Sequence, residues 1–214
     1  MPNAGDRFEH PQRIATQLLL LVGRDPSSGR LRHVRVLDIG LRAALFCDLV
    51  LAGRMVSRDG APFAFGVTDT GDHVLDTVAH AVSARQNVQW WRWYRHVRTD
   101  RLELVRELVD CGRWSERGSG PIRRYDDAEE LAPQALAMHL RGVVAAAQIR
   151  DAREGVLAAL TVMCGTNGRP DPRALRSELK PLLDRIVDTG EPNADHVPRV
   201  LAGATVFMRR PTRR

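Results

Sequence analysis

The chain has 214 residues, of which 43% are hydrophobic and 27% are charged, and its formal net charge is +6. This length and composition suit one globular domain with a sizeable core. The sequence holds no run of about 18 apolar residues, so it predicts no membrane-spanning helix. Residues 1–11 lack the apolar stretch of a signal peptide. We expect a disordered N-terminus over 1–11, a single domain over 12–208, a basic tail over 209–214 and a cytoplasmic location.

The positive charge is carried by arginine, since Lys180 is the only lysine among 32 basic residues. Such a bias often accompanies a GC-rich genome, so the pI of about 10.2 is weak evidence for a nucleic-acid partner. Two segments remain locally basic. Residues 85–106 hold six arginines against Asp100 and Glu103, and the tail holds four. The first segment favours an anionic surface as partner, and the tail is either a solvated end or a tether to a membrane or nucleic acid.

The first half of the chain predicts helices and a hairpin. Apolar periodicity favours helices over about 12–23 and 39–52, with Asp38 as the N-cap of the second. Asp59-Gly60 is a strong turn signal and predicts a hairpin that pairs 54–57 with 63–67. Further helices are expected over about 70–85, capped by Asp72, 88–96 and 99–111.

The second half is almost wholly helical. Residues 113–124 predict a second hairpin or loop, because Gly118-Ser119-Gly120-Pro121 interrupts any helix there. Four helices are then expected over about 127–149, 151–163, 171–187 and 194–208. The fold class that follows is mainly α, a single-domain helical bundle with one or two small β-hairpins.

Aromatic residues cluster in two places. On a helix over 88–96, Trp90, Trp93 and Tyr94 share one side and Trp91 points away from it. Core packing and a membrane-interfacial belt are both compatible with this cluster. In the first hairpin, Phe63 and Phe65 alternate onto one face, which indicates either core packing or a contact between two copies of the chain.

Arginines recur at every third position from Arg92 to Arg101. On one continuous helix, such like charges destabilise each other unless something compensates them. One interpretation is a solvated face on which Asp100 and Glu103 pair locally with the arginines. The other is that an external phosphate compensates the charge, because the planar guanidinium matches two phosphate oxygens at once.

Enzymatic and metal sites find little support. The sequence contains no nucleophile elbow, phosphate-binding loop or HExxH motif. The three cysteines, Cys47, Cys111 and Cys164, are far apart and are expected to be buried free thiols. His73 and His80 would share a helix face, but no nearby cysteine or carboxylate completes a metal site. We expect neither catalysis nor a cofactor.

Four segments, in order, resemble the Golgi phosphoprotein 3 family. Residues 17–21 resemble its "EELLLL" helix, and residues 40–54, which begin Gly40-Leu41-Arg42, resemble its "GLRGALLxELxLxGR" stretch. Residues 70–76 resemble "PTGDxLLDE", and residues 97–112 resemble "LRxVRERLxxxLVEKG". The resemblance covers about residues 12–125 well. Beyond them, only the general helical pattern of the sequence is similar. The arginine bias suggests a bacterial, actinobacterial member.

The resemblance implies a helical domain that binds phosphatidylinositol 4-phosphate on membranes, with a tryptophan and three arginines around the head group. Arg42, Arg98 and Arg101 match those arginines, whereas His33 falls at the position of the tryptophan. A histidine can donate to phosphate, but it lacks the apolar area of an indole. The resemblance also implies that the hairpin over 54–67 mediates self-association and that cytoplasmic tails of membrane enzymes are partners.

A competing hypothesis is a nucleic-acid-binding or regulatory module, since two helices followed by a hairpin is the order of a winged helix. A winged-helix reader needs a second helix with a polar, basic face. Residues 39–52 are almost wholly apolar apart from Arg42 and Asp48. That pattern favours a core helix, so nucleic acid is the less favoured partner.

Overall fold

The computed structural model describes residues 13–32, 35–65, 70–85, 88–96, 101–120, 123–128, 131–165 and 172–208. Within these ranges the fold is mainly α, with two small antiparallel hairpins. The helices are α1 (Ile14–Val22), α2 (Arg35–Leu51), α3 (His73–Ser83), α4 (Trp90–His96), α5 (Arg101–Asp110), α6 (Leu131–Ala146), α7 (Ala152–Cys164), α8 (Pro172–Asp188) and α9 (Val197–Met208). The strands are β1 (Met55–Arg58), β2 (Ala61–Ala64), β3 (Trp114–Arg117) and β4 (Arg124–Asp127). The fold class expected from the sequence is confirmed.

Helix α2 runs through the middle of the bundle. It packs against α1, α7 and α9, and more lightly against α3 and β1. Every residue from Ala43 to Val50 is buried, and these include the polar side chain of Asp48. A helix that is apolar all round must be covered on every side, so the remaining helices assemble around it.

Helix α4 is anchored by its aromatic side chains. Trp90, Trp93 and Tyr94 are buried, as the predicted clustering requires, and Trp91 is the partly exposed aromatic of this helix. The Trp90 indole donates to the hydroxyl oxygen of Ser57 at 2.9 Å, and the Tyr94 hydroxyl donates to the carbonyl of Val200 at 2.8 Å. These bonds fix α4 against β1 and α9.

The first hairpin is tighter than expected. Its strands pair from Met55↔Ala64 to Arg58↔Ala61, which leaves a two-residue turn in which Asp59 and Gly60 both have positive φ. Phe65 remains 41% exposed, and its ring lies 5.5 Å from that of Phe63. The Arg58 guanidinium stacks on both rings. Core packing is therefore the wrong interpretation for Phe65, and self-association through this hairpin stays a prediction.

Three details differ from the expectations. Helix α2 begins at Arg35, so Asp38 lies inside its first turn and is not its N-cap. Cys111 is exposed, whereas Cys47 and Cys164 are buried free thiols. The last helix begins at Val197, because residues 194–196 form a turn of 3₁₀ helix before it. The predicted second hairpin and the Asp72 cap are confirmed, the latter by hydrogen bonds from the amides of Val74 and Leu75.

No helix in the described part of the chain is both long enough and apolar enough to cross a bilayer. The predicted disordered start and the basic tail both lie outside the described residues.

Candidate functional site: an arginine site at the start of α2

The first two turns of α2 place an acid and a base on one face. Asp38 and Arg42 are four residues apart, a spacing that sets side chains one above the other on a helix. The charge of Asp38 raises the pKa of Arg42, while burial, the larger effect, lowers it. Because arginine is always protonated in proteins, Arg42 is a partly buried cation, and the Asp38 carboxylate lies one helical turn before it.

The guanidinium of Arg42 is fixed by the end of α4. One terminal nitrogen donates to the main-chain carbonyl of Tyr94. Tyr94 lies in the last turn of α4, where carbonyls have no partner within the helix and a cation is favoured. The Arg42 Nε is buried and has no hydrogen-bond partner among the described residues. Arg42 is therefore held in place with part of its donor capacity unused.

Arg101 reaches the same place from the start of α5. Its Nη1 lies 2.8 Å from Oδ1 of Asp38 and donates to the carbonyl of Arg32 at 3.3 Å. The Arg101 side chain is only 13% exposed, against 40% for that of Asp38. Asp38 thus pairs with Arg101 and lies one helical turn from Arg42, on which its charge acts, and these three residues are called the arginine site below.

The local pairing considered for the arginine series does not describe Glu103, and Asp100 lies outside the described residues. Arg101 pairs with Asp38 on another helix, and Glu103 pairs with His73 at 3.0 Å. Helix α4 ends at His96 and α5 begins at Arg101, and the residues between them lie outside the described part of the chain.

Two of the four predicted site residues lie outside the described residues, namely His33 and Arg98. The other two, Arg42 and Arg101, are linked through Asp38, which pairs with Arg101 and acts through its charge on Arg42. Sequence reasoning missed Asp38 as a member of the site and assigned it to capping. Its i, i+4 spacing from Arg42 was the available signal. The sequence could not predict the roles of the Tyr94 and Arg32 carbonyls, because every residue has a main-chain carbonyl.

The two histidines considered above for a metal site, His73 and His80, form a weaker arrangement than the arginine site. His73 and His80 border one shallow depression together with Asp76. The His80 Nδ1 is 2.8 Å from the carbonyl of Asp76, one turn back on its own helix. Across the described residues, no group of three or more metal-ligating side chains occurs.

The winged-helix hypothesis is not supported by the position of α2. A recognition helix must present a polar face to a nucleic-acid groove. Helix α2 is instead covered along nearly its whole length by its neighbours, from Leu37 to Val50. The second helix is therefore unsuited to enter a groove. Its basic residues Arg35 and Arg42 contact Phe207 of α9 and Tyr94 of α4.

Comparison with protein-family models finds a match to Golgi phosphoprotein 3 (GPP34) over residues 14–204. The matched range runs from the first residue of α1 into α9 and includes Asp38, Arg42 and Arg101. A comparison with curated proteins finds none that matches. Since the family model covers most of the sequence, this chain belongs to the Golgi phosphoprotein 3 family.

Proposed function

We propose that this protein is a peripheral membrane protein that binds an anionic phospholipid head group similar to phosphatidylinositol 4-phosphate. The observation that carries the proposal is that Asp38 pairs with Arg101, from a helix far along the sequence, and acts through its charge on the partly buried Arg42. Arg98 and His33 complete the site by resemblance to the family. For the alternative role in nucleic-acid binding, α2 offers no comparable group of exposed basic residues.

The chemistry of the site suits a phosphate group. Guanidinium groups bind phosphate oxygens through charge-assisted hydrogen bonds, often two at a time. Arg42 is already oriented by the Tyr94 carbonyl, and its buried Nε lacks a protein partner among the described residues. A donor that is oriented before binding loses little conformational freedom when a ligand arrives.

Attraction to the bilayer adds to the head-group contacts. Each basic residue near an anionic membrane surface contributes about 1 kcal/mol. Cytoplasmic tails of membrane enzymes are proposed as protein partners, so that the protein would hold such enzymes at the lipid surface. The proposal includes no catalytic step and no cofactor.

Vesicle co-sedimentation tests this function. We expect the wild type to bind phosphatidylcholine vesicles that contain phosphatidylinositol 4-phosphate, and the triple variant Arg42→Ala/Arg98→Ala/Arg101→Ala to lose at least about tenfold in affinity. A variant with lysine at the same three positions keeps the charge but loses the planar guanidinium groups, and it should bind without head-group preference. Circular dichroism and thermal unfolding verify that each variant is folded.

A matched control removes three arginines elsewhere. Arg117, Arg141 and Arg185 are exposed and lie on β3, α6 and α8. The triple Ala variant at these positions loses the same net charge and should retain head-group-dependent binding. Equal losses in the two triple variants, or binding by the wild type that follows total vesicle charge alone, would contradict the proposed site.

A further inference from the structure

Asp38 already supplies a negative oxygen to the arginine site. Its Oδ1 lies 2.8 Å from Nη1 of Arg101, the distance expected of a charge-assisted hydrogen bond. A phosphate oxygen bound to the same nitrogen would take the place of this carboxylate oxygen. An incoming anion must therefore displace Asp38 or be repelled by it.

The charges within the site favour such a competition. Asp38 compensates Arg101 directly and acts on Arg42 through its charge, so it offsets part of the positive potential that both arginines create. Two unit charges a few ångströms apart near a protein surface interact by several kcal/mol before solvent screening. Removing one negative charge here should therefore strengthen the binding of any anion.

The carboxylate is also the more exposed member of the pair. The Asp38 side chain is 40% exposed, whereas that of Arg101 is 13% exposed and is held by the Arg32 carbonyl as well. Asp38 can rotate into water by a change of rotamer, and its position in the first turn of α2 keeps its charge favourable there. Arg101 remains in place when the carboxylate leaves.

We propose that Asp38 is an internal competitor of the arginine site, so that a phosphate group binds by exchange with the Asp38 carboxylate. This inference rests on the proposed function and adds a regulatory element to it. The exchange raises the anion concentration that binding requires. A membrane dense in phosphorylated head groups meets that requirement, and dilute soluble phosphate does not.

The test compares the wild type with Asp38→Asn. Asparagine has the same shape and can still accept a hydrogen bond from Arg101, but it carries no charge. Binding is measured on phosphatidylcholine vesicles with graded fractions of phosphatidylinositol 4-phosphate, and by calorimetric titration with inorganic phosphate at constant ionic strength. We expect half-maximal vesicle binding at a head-group fraction about tenfold lower for Asp38→Asn.

The control is Asp184→Asn, which changes the net charge equally. Asp184 is exposed on α8, a helix that packs against α6, α7 and α9. The Asp184→Asn variant should bind vesicles as the wild type does, within about twofold in affinity. If Asp38→Asn binds no better than Asp184→Asn while the wild type binds vesicles, the competitor role is overturned and the proposed function stands.

The remaining outcomes separate the two proposals. Binding by Asp38→Asn but not by the wild type supports the competitor and overturns the proposed function of the natural chain. If neither the wild type nor Asp38→Asn binds, the proposed function and the competitor role are both overturned. A gain toward inorganic phosphate as well as vesicles shows that the phosphate group alone exchanges with Asp38, and a gain toward vesicles only assigns the exchange to the lipid head group.

Discussion

At the scale of single residues, Asp48 is a buried charge that connects three helices. Its Oδ2 accepts a hydrogen bond from the amide of Ile14 at 3.0 Å, at the start of α1, and its Oδ1 lies 2.8 Å from Nη2 of Arg153 on α7. The side chain is 4% exposed. Burial raises the pKa of Asp48 to about 6, although Arg153 and the Ile14 amide act in the opposite direction.

This raised pKa predicts a pH dependence of stability. The folded state binds a proton at Asp48 more tightly than the unfolded chain does, so acidification from pH 7 to pH 5 favours folding through this group by about 1 kcal/mol. We expect the unfolding free energy of the wild type, relative to Asp48→Asn, to increase by that amount over this range. Urea unfolding at both pH values measures it.

The exposed variant Asp184→Asn is the control for removal of a carboxylate without burial. Its difference from the wild type should vary less between the two pH values than that of Asp48→Asn. A wild-type advantage over Asp48→Asn that stays constant or shrinks at pH 5 would show that Asp48 is charged throughout this range.

At the scale of elements, the contact between α2 and α7 depends on a glycine. A Cβ placed on Gly40 would lie 2.4 Å from the sulfur of Cys164 and 3.3 Å from a methyl carbon of Leu18. The first separation is shorter than van der Waals contact permits. Gly40 therefore allows α2 to approach α7 closely, although glycine lowers the intrinsic stability of a helix by about 1 kcal/mol.

We predict that Gly40→Ala destabilises the protein by about 1–3 kcal/mol, because overpacking outweighs the gain in helix propensity. Combining it with Cys164→Ala removes the sulfur from the clash, so the double variant should be less destabilised than the sum of the single variants by about 1 kcal/mol. Denaturant unfolding of the four proteins measures this coupling.

Gly142→Ala is the matched control on α6, since a Cβ at that position meets nothing within 4 Å. At Gly142 only the higher helix propensity of alanine affects stability, so the unfolding free energy should rise by up to about 1 kcal/mol. Additive effects at Gly40 and Cys164, with Gly40→Ala as benign as Gly142→Ala, would refute close packing of α2 on α7.

The elements were more predictable than their contacts for a physical reason. Periodic apolar residues, the Asp72 cap and the Asp59-Gly60 turn are local signals, and each is realised in the structure. The start of α2 was misplaced, because Asp38 is a good N-cap by residue type but serves as an ion-pair partner. The partners of Asp38 and Gly40 come from residues 101 and 164, and no local pattern encodes such distant pairs.

The candidate site was partly predictable by the same reasoning. Family resemblance implied that Arg42 and Arg101 share a site, and in the structure Asp38 pairs with Arg101 and acts through its charge on Arg42. Tertiary structure supplied what local spacing could not, namely the Tyr94 carbonyl that orients Arg42 and the pairing of Asp38 with Arg101. Phe65 was misjudged because alternation on a strand indicates a shared face but not whether that face is covered.

At the scale of the whole molecule, the last helix ends next to the arginine site. An Nη2 of Arg35, in the same turn of α2 as Asp38, lies 3.5 Å from the carbonyl oxygen of Phe207, and its guanidinium lies 4.8 Å from the centre of the Phe207 ring. Residues 209–214, which contain four arginines, follow α9 directly and lie outside the described residues. The described end of α9 therefore lies beside the start of α2.

The position of the end of α9 and the four arginines that follow it in sequence predict that the tail strengthens membrane binding without selecting the head group. Replacing the four tail arginines by Gln should weaken binding to anionic vesicles by about tenfold or more at low salt, since each basic residue near the surface contributes about 1 kcal/mol. The loss should shrink at high salt, because screening weakens interactions between exposed charges. The preference for phosphorylated over other anionic head groups should persist, because Arg42 and Arg101 are unchanged. Co-sedimentation across a salt series measures both quantities, and a tail variant that loses this preference would place the tail in the head-group site itself.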